Sequence, residues 1–150
     1  MTYGVIHITP VWGNTYYSRI HNLVLLQKRV IRIIGNAGYR DHTSSIFHKF
    51  KILKLKDLIK LQTCILMYKA NNGSLPSHIQ LNFVKNKEVH KYNTRQKNDF
   101  FCPQVYTKLR KMSVNRYGID VWNDLPTYIK DCKSISKFKK GIKLLLLNNY

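Results

Sequence analysis

Seven acidic side chains are the residues of this sequence that could bind catalytic metal ions. They are Asp41, Asp57, Glu88, Asp99, Asp120, Asp124 and Asp131. Enzymes that use two metal ions on nucleic acids need carboxylates that converge on the ions. These acids are scattered, and the one pair at helical spacing, Asp120 and Asp124, is more typical of a helix cap or a surface ion pair. The six histidines have no zinc-ligand spacing with cysteine, so the sequence predicts neither an active site nor a cofactor in this chain.

Basic side chains greatly outnumber the acidic ones. The 150 residues include 26 Lys and Arg against 7 Asp and Glu, a formal net charge of +19, which indicates a polyanionic partner, usually a nucleic acid. Several cations lie beside aromatic residues, a pattern that can place amines on phosphates and a ring on a base. For any one cluster a solvated surface is the alternative; the repetition along the chain favours binding. The candidate nucleic-acid-binding residues are Lys28, Arg29, Arg32, Lys91, Tyr92, Arg95, Lys97, Arg110, Lys111, Arg116, Lys139, Lys140 and Lys143.

The elements that position these residues are mainly α-helical. Apolar residues at helical spacing predict helices over 14–34 and 55–70 and a last helix that Ser134 or Ser136 caps. The fold class is therefore a small helical bundle. In the first helix, one broad buried face is predicted to consist of Tyr16, Ile20, Leu23, Leu26, Val30, Ile31, Ile33 and Ile34.

Capping residues set the predicted ends of the two long helices. Asn14 or Thr15 is the expected N-cap of the first helix. Gly35-Asn36 and Asn72-Gly73 are typical stop signals, because glycine and asparagine tolerate the left-handed backbone that ends a helix. The two helices should therefore end near 34 and 71.

Composition divides the chain into four parts. Residues 1–13 are interpreted as the remnant of an upstream segment, and 14–80 as the helical bundle. Residues 81–99, rich in Lys, Asn, Thr and Gln, are interpreted as a basic linker with few apolar anchors. Residues 100–150 form a C-terminal subdomain with a terminal helix, and their aromatic and β-branched residues are compatible with a short β-hairpin near 101–121.

The cysteines and the longest apolar run indicate the cellular compartment that we expect for this protein. Cys64, Cys102 and Cys132 are odd in number and lack metal-ligand spacing, so we expect reduced thiols in an intracellular protein. The run from Leu144 to Leu147 is far too short to span a bilayer, so membrane insertion is not expected.

A series of short motifs runs in order along nearly the whole chain. It comprises Val11-Trp12-Gly13-Asn14-Thr15-Tyr16, Leu26-Gln27-Lys28-Arg29, Arg32-Ile33-Ile34, His42-Thr43, Leu53-Lys54-Leu55-Lys56-Asp57, Met67-Tyr68-Lys69, Leu75-Pro76, Tyr92-Asn93-Thr94-Arg95, Val121-Trp122-Asn123-Asp124-Leu125-Pro126 and Ser136-Lys137-Phe138-Lys139-Lys140. In order and spacing, this series resembles the C-terminal region of jockey-like non-LTR (LINE-type) retrotransposon reverse transcriptases.

The resemblance implies the thumb-side helices and C-terminal tail of an RNA-directed DNA polymerase, with 14–80 as a thumb-like bundle. The endonuclease and the palm, which carries the catalytic carboxylates and would hold Mg²⁺, have no counterpart in this sequence. The implied role is to grip template–primer or element RNA during synthesis at a nicked chromosome, which implies a nuclear location.

Two other classes of protein remain as alternatives. One is a free-standing basic DNA-binding or structural module, and the other is a decayed gene product without folded function. Helix-turn-helix packing would mark the first, but the loop over 35–41 is longer than the tight turn of that motif.

The scattered acids generate a prediction about activity. We expect the purified chain not to extend a primed RNA template with Mg²⁺ or Mn²⁺, because no set of carboxylates is predicted to converge. Incorporation of labelled nucleotides measures this. Template-dependent incorporation that disappears in Asp120→Asn or Asp124→Asn would contradict the prediction.

Overall fold

The computed structural model describes residues 13–90, 92 and 94–150. Within these residues the fold is mainly α-helical and contains no strand, which confirms the predicted fold class. The elements are α1 (Tyr17–Ile34), α2 (Ser44–Lys49), α3 (Leu55–Asn71), α4 (Ser77–Gln80), α5 (Asn86–Val89), α6 (Lys108–Met112), a π-helix (Val114–Gly118), α7 (Ile119–Asn123), α8 (Thr127–Lys130) and α9 (Ile135–Leu147). None of these helices is long and apolar enough to cross a membrane.

The predicted ends of the two longest helices are confirmed. After α1, Asn36 has a left-handed φ of 47°, and the Ala37 N–H donates to the carbonyl of Arg32. After α3, Gly73 has a φ of 63°, a conformation in which glycine carries no side-chain penalty. The sequence signals at both ends therefore act through the expected backbone geometry.

The predicted N-cap of α1 is wrong. Tyr16 occupies the capping position and makes no side-chain hydrogen bond to the helix. The Asn14 amide instead donates to the carbonyl of Met112, at the end of α6. A long-range contact has thus taken the side chain that local capping rules assigned to the helix.

A chain of five aromatic side chains runs through the core. Trp122 is 2% exposed and lies between Phe138, 5.9 Å away, and Phe100, 6.1 Å away, as measured between ring centroids. Tyr68 extends the chain beyond Phe138 at 4.5 Å, and Phe83 extends it beyond Phe100 at 5.9 Å. Aromatic pairs at such distances add about 0.5–1.5 kcal/mol each beyond the burial of their surface.

These rings join the two halves of the chain. One hydrophobic cluster takes residues from α3, α7, α8 and α9 and from the start of the 81–99 segment. The predicted bundle over 14–80 and the predicted subdomain over 100–150 therefore share apolar core contacts. Among these contacts, the one between elements with the greatest separation in sequence brings α9 against α3.

The 81–99 segment, predicted as a basic linker, forms a loop whose two ends are bonded together. The Asn86 N–H donates to the carbonyl of Asp99, and the Phe101 N–H donates to the carbonyl of Val84. The apolar anchors that composition obscured are Phe83 and Phe100, which are both buried next to these bonds. The buried rings of Phe83 and Phe100 therefore anchor the two ends of this loop in the core.

The short β-hairpin considered near 101–121 does not form. Residues from Lys108 onward enter α6, the π-helix and α7. Ile119 and Trp122 are one helical turn apart and both buried, so tertiary packing overrides the β propensity of this stretch. Gly118 permits that packing, because a Cβ at this position would lie 3.0 Å from the sulfur of Met67 on α3.

The broad buried face predicted for α1 is wrong in most of its members. Only Ile20 and Ile31 of that set are buried. The exposed members of the set are Tyr16, Leu23, Leu26, Val30, Ile33 and Ile34. The helix docks against α2 and α3 along one narrow edge that also includes the polar residue Gln27, so most of its apolar surface has no covering neighbour in the described residues.

The buried position of Trp122 generates a stability prediction. Trp122→Ala should lower the free energy of unfolding by about 3–5 kcal/mol, because it removes the ring that links Phe100 to Phe138. Tyr128→Ala is the matched control, since that ring is 72% exposed, and it should change stability by no more than about 0.5 kcal/mol. Chemical denaturation measures both. A Trp122 variant with unchanged stability but reduced nucleic-acid affinity would show that the ring stacks on bases. The sequence predicts that both tryptophans are largely buried, because each lies in a short apolar stretch beside turn residues; Trp122 is buried, and Trp12 lies outside the described residues.

Candidate nucleic-acid interface

Three lysines converge where α1 meets the start of α3. They surround a cavity of about 240 Å³, and we call this site the basic cleft, defined by Lys28, Lys54 and Lys56. The complete lining consists of Tyr17, Val24, Gln27, Lys28, Phe47, Lys54, Leu55, Lys56 and Asp57. The cleft thus combines several ammonium groups, aromatic rings and one carboxylate.

The Gln27 side chain fixes the geometry of the basic cleft. Its Nε2 donates to the carbonyl of Leu53 at 2.9 Å, and its Oε1 accepts the N–H of Leu55 at 2.8 Å. Both groups belong to the turn that leads into α3, where backbone N–H groups have no partner within the helix. One amide therefore holds α1 in a single register against the first turn of α3.

The last residue of the sequence forms another side of the same turn. The Tyr150 hydroxyl accepts the N–H of Lys54 at 2.6 Å, and the Lys54 ammonium lies 4.0 Å from the centroid of the Tyr150 ring. Similarly, the Lys56 ammonium lies 4.3 Å from the centroid of the Tyr17 ring. Each ring attracts the cation above it and limits the motion of a long side chain.

The Tyr150 hydroxyl adds no negative charge beside the basic cleft. Burial raises the pKa of Tyr150 to about 12, and the nearby Asp57 carboxylate also raises it, because both disfavour a phenolate. The hydroxyl therefore remains neutral beside Lys54. Asp57 is the only acidic residue that lines the cavity, against three lysines.

Arg29 and Arg32, the other two residues of α1 that were predicted to bind nucleic acid, lie close to Lys28 in sequence but do not line the basic cleft. Arg32 donates from Nε to the carbonyl of Asp41 at 3.0 Å, which ties the loop after α1 back to the helix. Arg29 is exposed to solvent. Of the predicted cluster on α1, only Lys28 is brought together with other lysines.

A second group of cations lies around the loop over 81–99. Arg95 lines a polar cavity of about 460 Å³ together with Lys85 and Lys130, while Tyr92 is 82% exposed. The Lys130 ammonium is paired with Asp99 at 3.0 Å, so one cation of this cavity is already compensated. The predicted residue Lys97 is exposed, and Lys91 lies outside the described residues.

The remaining predicted residues fall on α6, the π-helix and α9. Arg110 and Lys111 are exposed on α6. Arg116 forms an ion pair with Asp120, four residues further on, so its charge is compensated within the protein. Lys139, Lys140 and Lys143 are exposed on α9, where Phe138 and Ile142 face the core.

Few cations are neutralised inside the protein. Across residues 13–90, 92 and 94–150, the two ion pairs are Arg116–Asp120 and Lys130–Asp99. The same residues contain no group of three or more His, Cys, Asp or Glu side chains that could hold a metal ion. Most of the positive charge of these residues is therefore not compensated by an ion pair, and two lysines of the basic cleft lie over aromatic rings.

Sequence reasoning missed most of the basic cleft. It selected Lys28 but not Lys54, Lys56, Tyr17 or Tyr150. The stretch Lys54-Leu55-Lys56-Asp57 marks the start of a long helix, a signal that could have suggested the two lysines. The contact of Tyr150 with Lys54 joins positions 96 apart in sequence, and no local pattern indicates it.

Comparison with known proteins adds no relative to this description. No protein-family model, no curated protein and no solved structure matches the chain.

The role of Gln27 generates a prediction. Gln27→Leu keeps the approximate size of the side chain but leaves the Leu53 carbonyl and the Leu55 N–H without their partner, so it should cost about 1–3 kcal/mol of stability. Asn22→Leu is the control, because Asn22 is exposed on the same helix, and should change stability by no more than about 0.5 kcal/mol. Equal unfolding free energies for the two variants would mean that Gln27 does not fix the docking of α1.

Proposed function

We propose that the chain is a nucleic-acid-binding segment of a non-LTR retrotransposon reverse transcriptase. In this proposal it grips template–primer duplex or element RNA through lysine and arginine and takes no part in the chemistry of polymerisation. The observation that carries the proposal is the basic cleft, where Lys28, Lys54 and Lys56 surround one cavity. The ordered series of motifs that resembles the C-terminal region of these enzymes supports the assignment to that class.

Positioned lysines suit a phosphate backbone. An ammonium has three donors, and one that rests on an aromatic ring keeps donors free for phosphate oxygens. Lys54 and Lys56 are held in this way by Tyr150 and Tyr17. Pre-positioning reduces the loss of side-chain entropy when a ligand orders these residues.

The scarcity of internal ion pairs supports a polyanionic partner. A net charge of +19 with two ion pairs in the described residues leaves strong repulsion between the cations. A bound phosphate backbone relieves this repulsion and releases counterions, so affinity should depend steeply on salt. Phosphate contacts carry no base information, and binding should therefore differ little between sequences.

The test replaces the lysines of the basic cleft. The triple variant Lys28→Gln, Lys54→Gln and Lys56→Gln should bind an RNA–DNA hybrid more weakly than the wild type. The slope of log affinity against log salt should shrink by about one unit for each phosphate that is no longer neutralised. Fluorescence anisotropy over a salt series measures both quantities, with hybrids of two unrelated sequences.

The matched control removes the same charge elsewhere. Lys49→Gln, Lys87→Gln and Lys133→Gln are exposed positions that line none of the cavities described above. This variant should keep a salt slope within about one unit of the wild type. Equal reductions of affinity in the two triple variants would mean that binding depends on net charge alone, and a slope near zero for the wild type would refute the proposed function.

A further inference from the structure

Four exposed apolar residues follow a heptad pattern along α1. Leu23, Leu26, Val30 and Ile33 are separated by three, four and three residues, the spacing of the a and d positions of a coiled coil. Their side chains are 45%, 55%, 52% and 73% exposed. We call these four residues the α1 seam. Scattered single apolar residues are normal on a surface, but a continuous row over about three turns is not.

The α1 seam is distinct from the surfaces of α1 already described. Successive residues of a helix are rotated by about 100° around its axis. On this basis the centre of the α1 seam lies roughly 100° around the axis from the docked edge that contains Ile20, Gln27 and Ile31. Lys28, which lines the basic cleft, lies on the opposite flank of that docked edge. The helix therefore presents three separate surfaces, one packed on the protein, one basic and one apolar.

The surroundings of the α1 seam are positively charged. Arg19 lies one heptad before Leu26, on the line of the seam, and Arg29 lies beside it at the position of a coiled coil that usually pairs with an opposite charge. Arg19 also lines a cavity of about 600 Å³ between the start of α1, α6 and the π-helix. At the same cavity, the 70%-exposed side chain of Leu109 adds apolar surface.

We infer that the α1 seam is a docking site for an amphipathic helix of a partner protein, with an apolar stripe bordered by acidic residues. Its apolar residues would interdigitate with the α1 seam, and its carboxylates would pair with Arg19 and Arg29. From Arg19 to Ile33 the site runs for about 21 Å, which is 14 residue steps of about 1.5 Å along the helix axis. None of the four seam residues lines the basic cleft, so this inference does not depend on the proposed function.

Two other occupants fit the observations less well. A lipid surface requires no heptad register, whereas the four seam residues keep the a and d spacing typical of helix pairing. A second copy of this chain would place Arg19 and Arg29 against like charges, in a molecule with 26 basic and 7 acidic residues. Charge complementarity therefore selects an acidic helix.

The first experiment uses two designed peptides and the full chain. Both peptides have four heptads with leucine at a and d; one has glutamate at e and g, and the other has lysine. We expect the glutamate peptide to bind at least about tenfold more tightly than the lysine peptide, as measured by fluorescence anisotropy of labelled peptide. Equal binding of the two peptides, or no binding of either, would overturn the inference.

Variants of the α1 seam locate the binding surface. Leu26→Gln with Ile33→Gln should weaken binding of the glutamate peptide at least about tenfold, because a polar side chain replaces an apolar one at two positions of the interface. Leu25→Gln is the matched control, since Leu25 is 48% exposed on the same helix but lies off the seam, and it should change affinity by no more than about twofold. An equal effect of Leu25→Gln would refute the location.

A charge reversal tests the role of Arg19 in binding the partner helix. Arg19→Glu should weaken binding of the glutamate peptide and strengthen binding of the lysine peptide, since it inverts the charge on the line of the seam.

The affinity of the Leu26→Gln, Ile33→Gln variant for the RNA–DNA hybrid should be unchanged, so a failure of this inference can be distinguished from a failure of the proposed function. Two further results would overturn the inference: seam-dependent binding to phosphatidylserine vesicles without peptide binding, and seam-dependent dimers of the chain alone in analytical ultracentrifugation.

Discussion

The packing of Trp122 between Phe100 and Phe138 is the contact on which the rest of the structure depends. These three rings come from a loop end, from α7 and from α9, and Tyr68 adds α3 to the same stack. This stack brings together elements that are far apart in sequence. The basic cleft depends on it indirectly, because α9 must lie against α3 before Tyr150 can reach the first turn of α3.

Charge and packing oppose one another in this protein. Repulsion among the cations destabilises any compact state, and few internal ion pairs offset it. Buried apolar and aromatic surface must therefore supply the stability, in a core where six aromatic rings lie among a larger number of aliphatic side chains. The stabilising rings and the charged residues also occupy different parts of the protein. The aromatic stack lies inside, while the candidate phosphate contacts lie on α1, on the loop over 81–99, on α6 and on α9.

The existence and ends of the long helices could be predicted from the sequence, because apolar spacing and the Gly-Asn and Asn-Gly stop signals are local. The covered face of α1 could not. A helical wheel shows which residues are apolar but not which of them meet a neighbour, and in α1 the docking contact includes the polar residue Gln27. The hairpin expectation failed for a related reason, since Gly118 allows an approach to α3 that turns a β-prone stretch into helix.

The candidate site was predictable to a smaller extent. The basic face of the first helix supplied Lys28, which lines the cleft, and cation–aromatic neighbours supplied Arg116, whose charge Asp120 compensates. Clusters that are adjacent in sequence were assumed to act together, whereas the cleft brings Lys28 of α1 together with Lys54 and Lys56 at the start of α3, and Tyr150 contacts Lys54 from the far end of the sequence. Convergence of this kind depends on the tertiary fold and leaves no periodic signal.

The loop between Val84 and Phe101 has a consequence for how such a protein can change over evolutionary time. Its ends are fixed by backbone hydrogen bonds and by two buried rings, so its anchoring in the core does not require particular side chains at the exposed positions Lys87, Arg95 and Lys97. Insertions, deletions and charge substitutions in this stretch can therefore accumulate without unfolding the core. Such a loop can diverge rapidly between related sequences and adjust the strength of an electrostatic contact, while the scaffold that carries it stays the same.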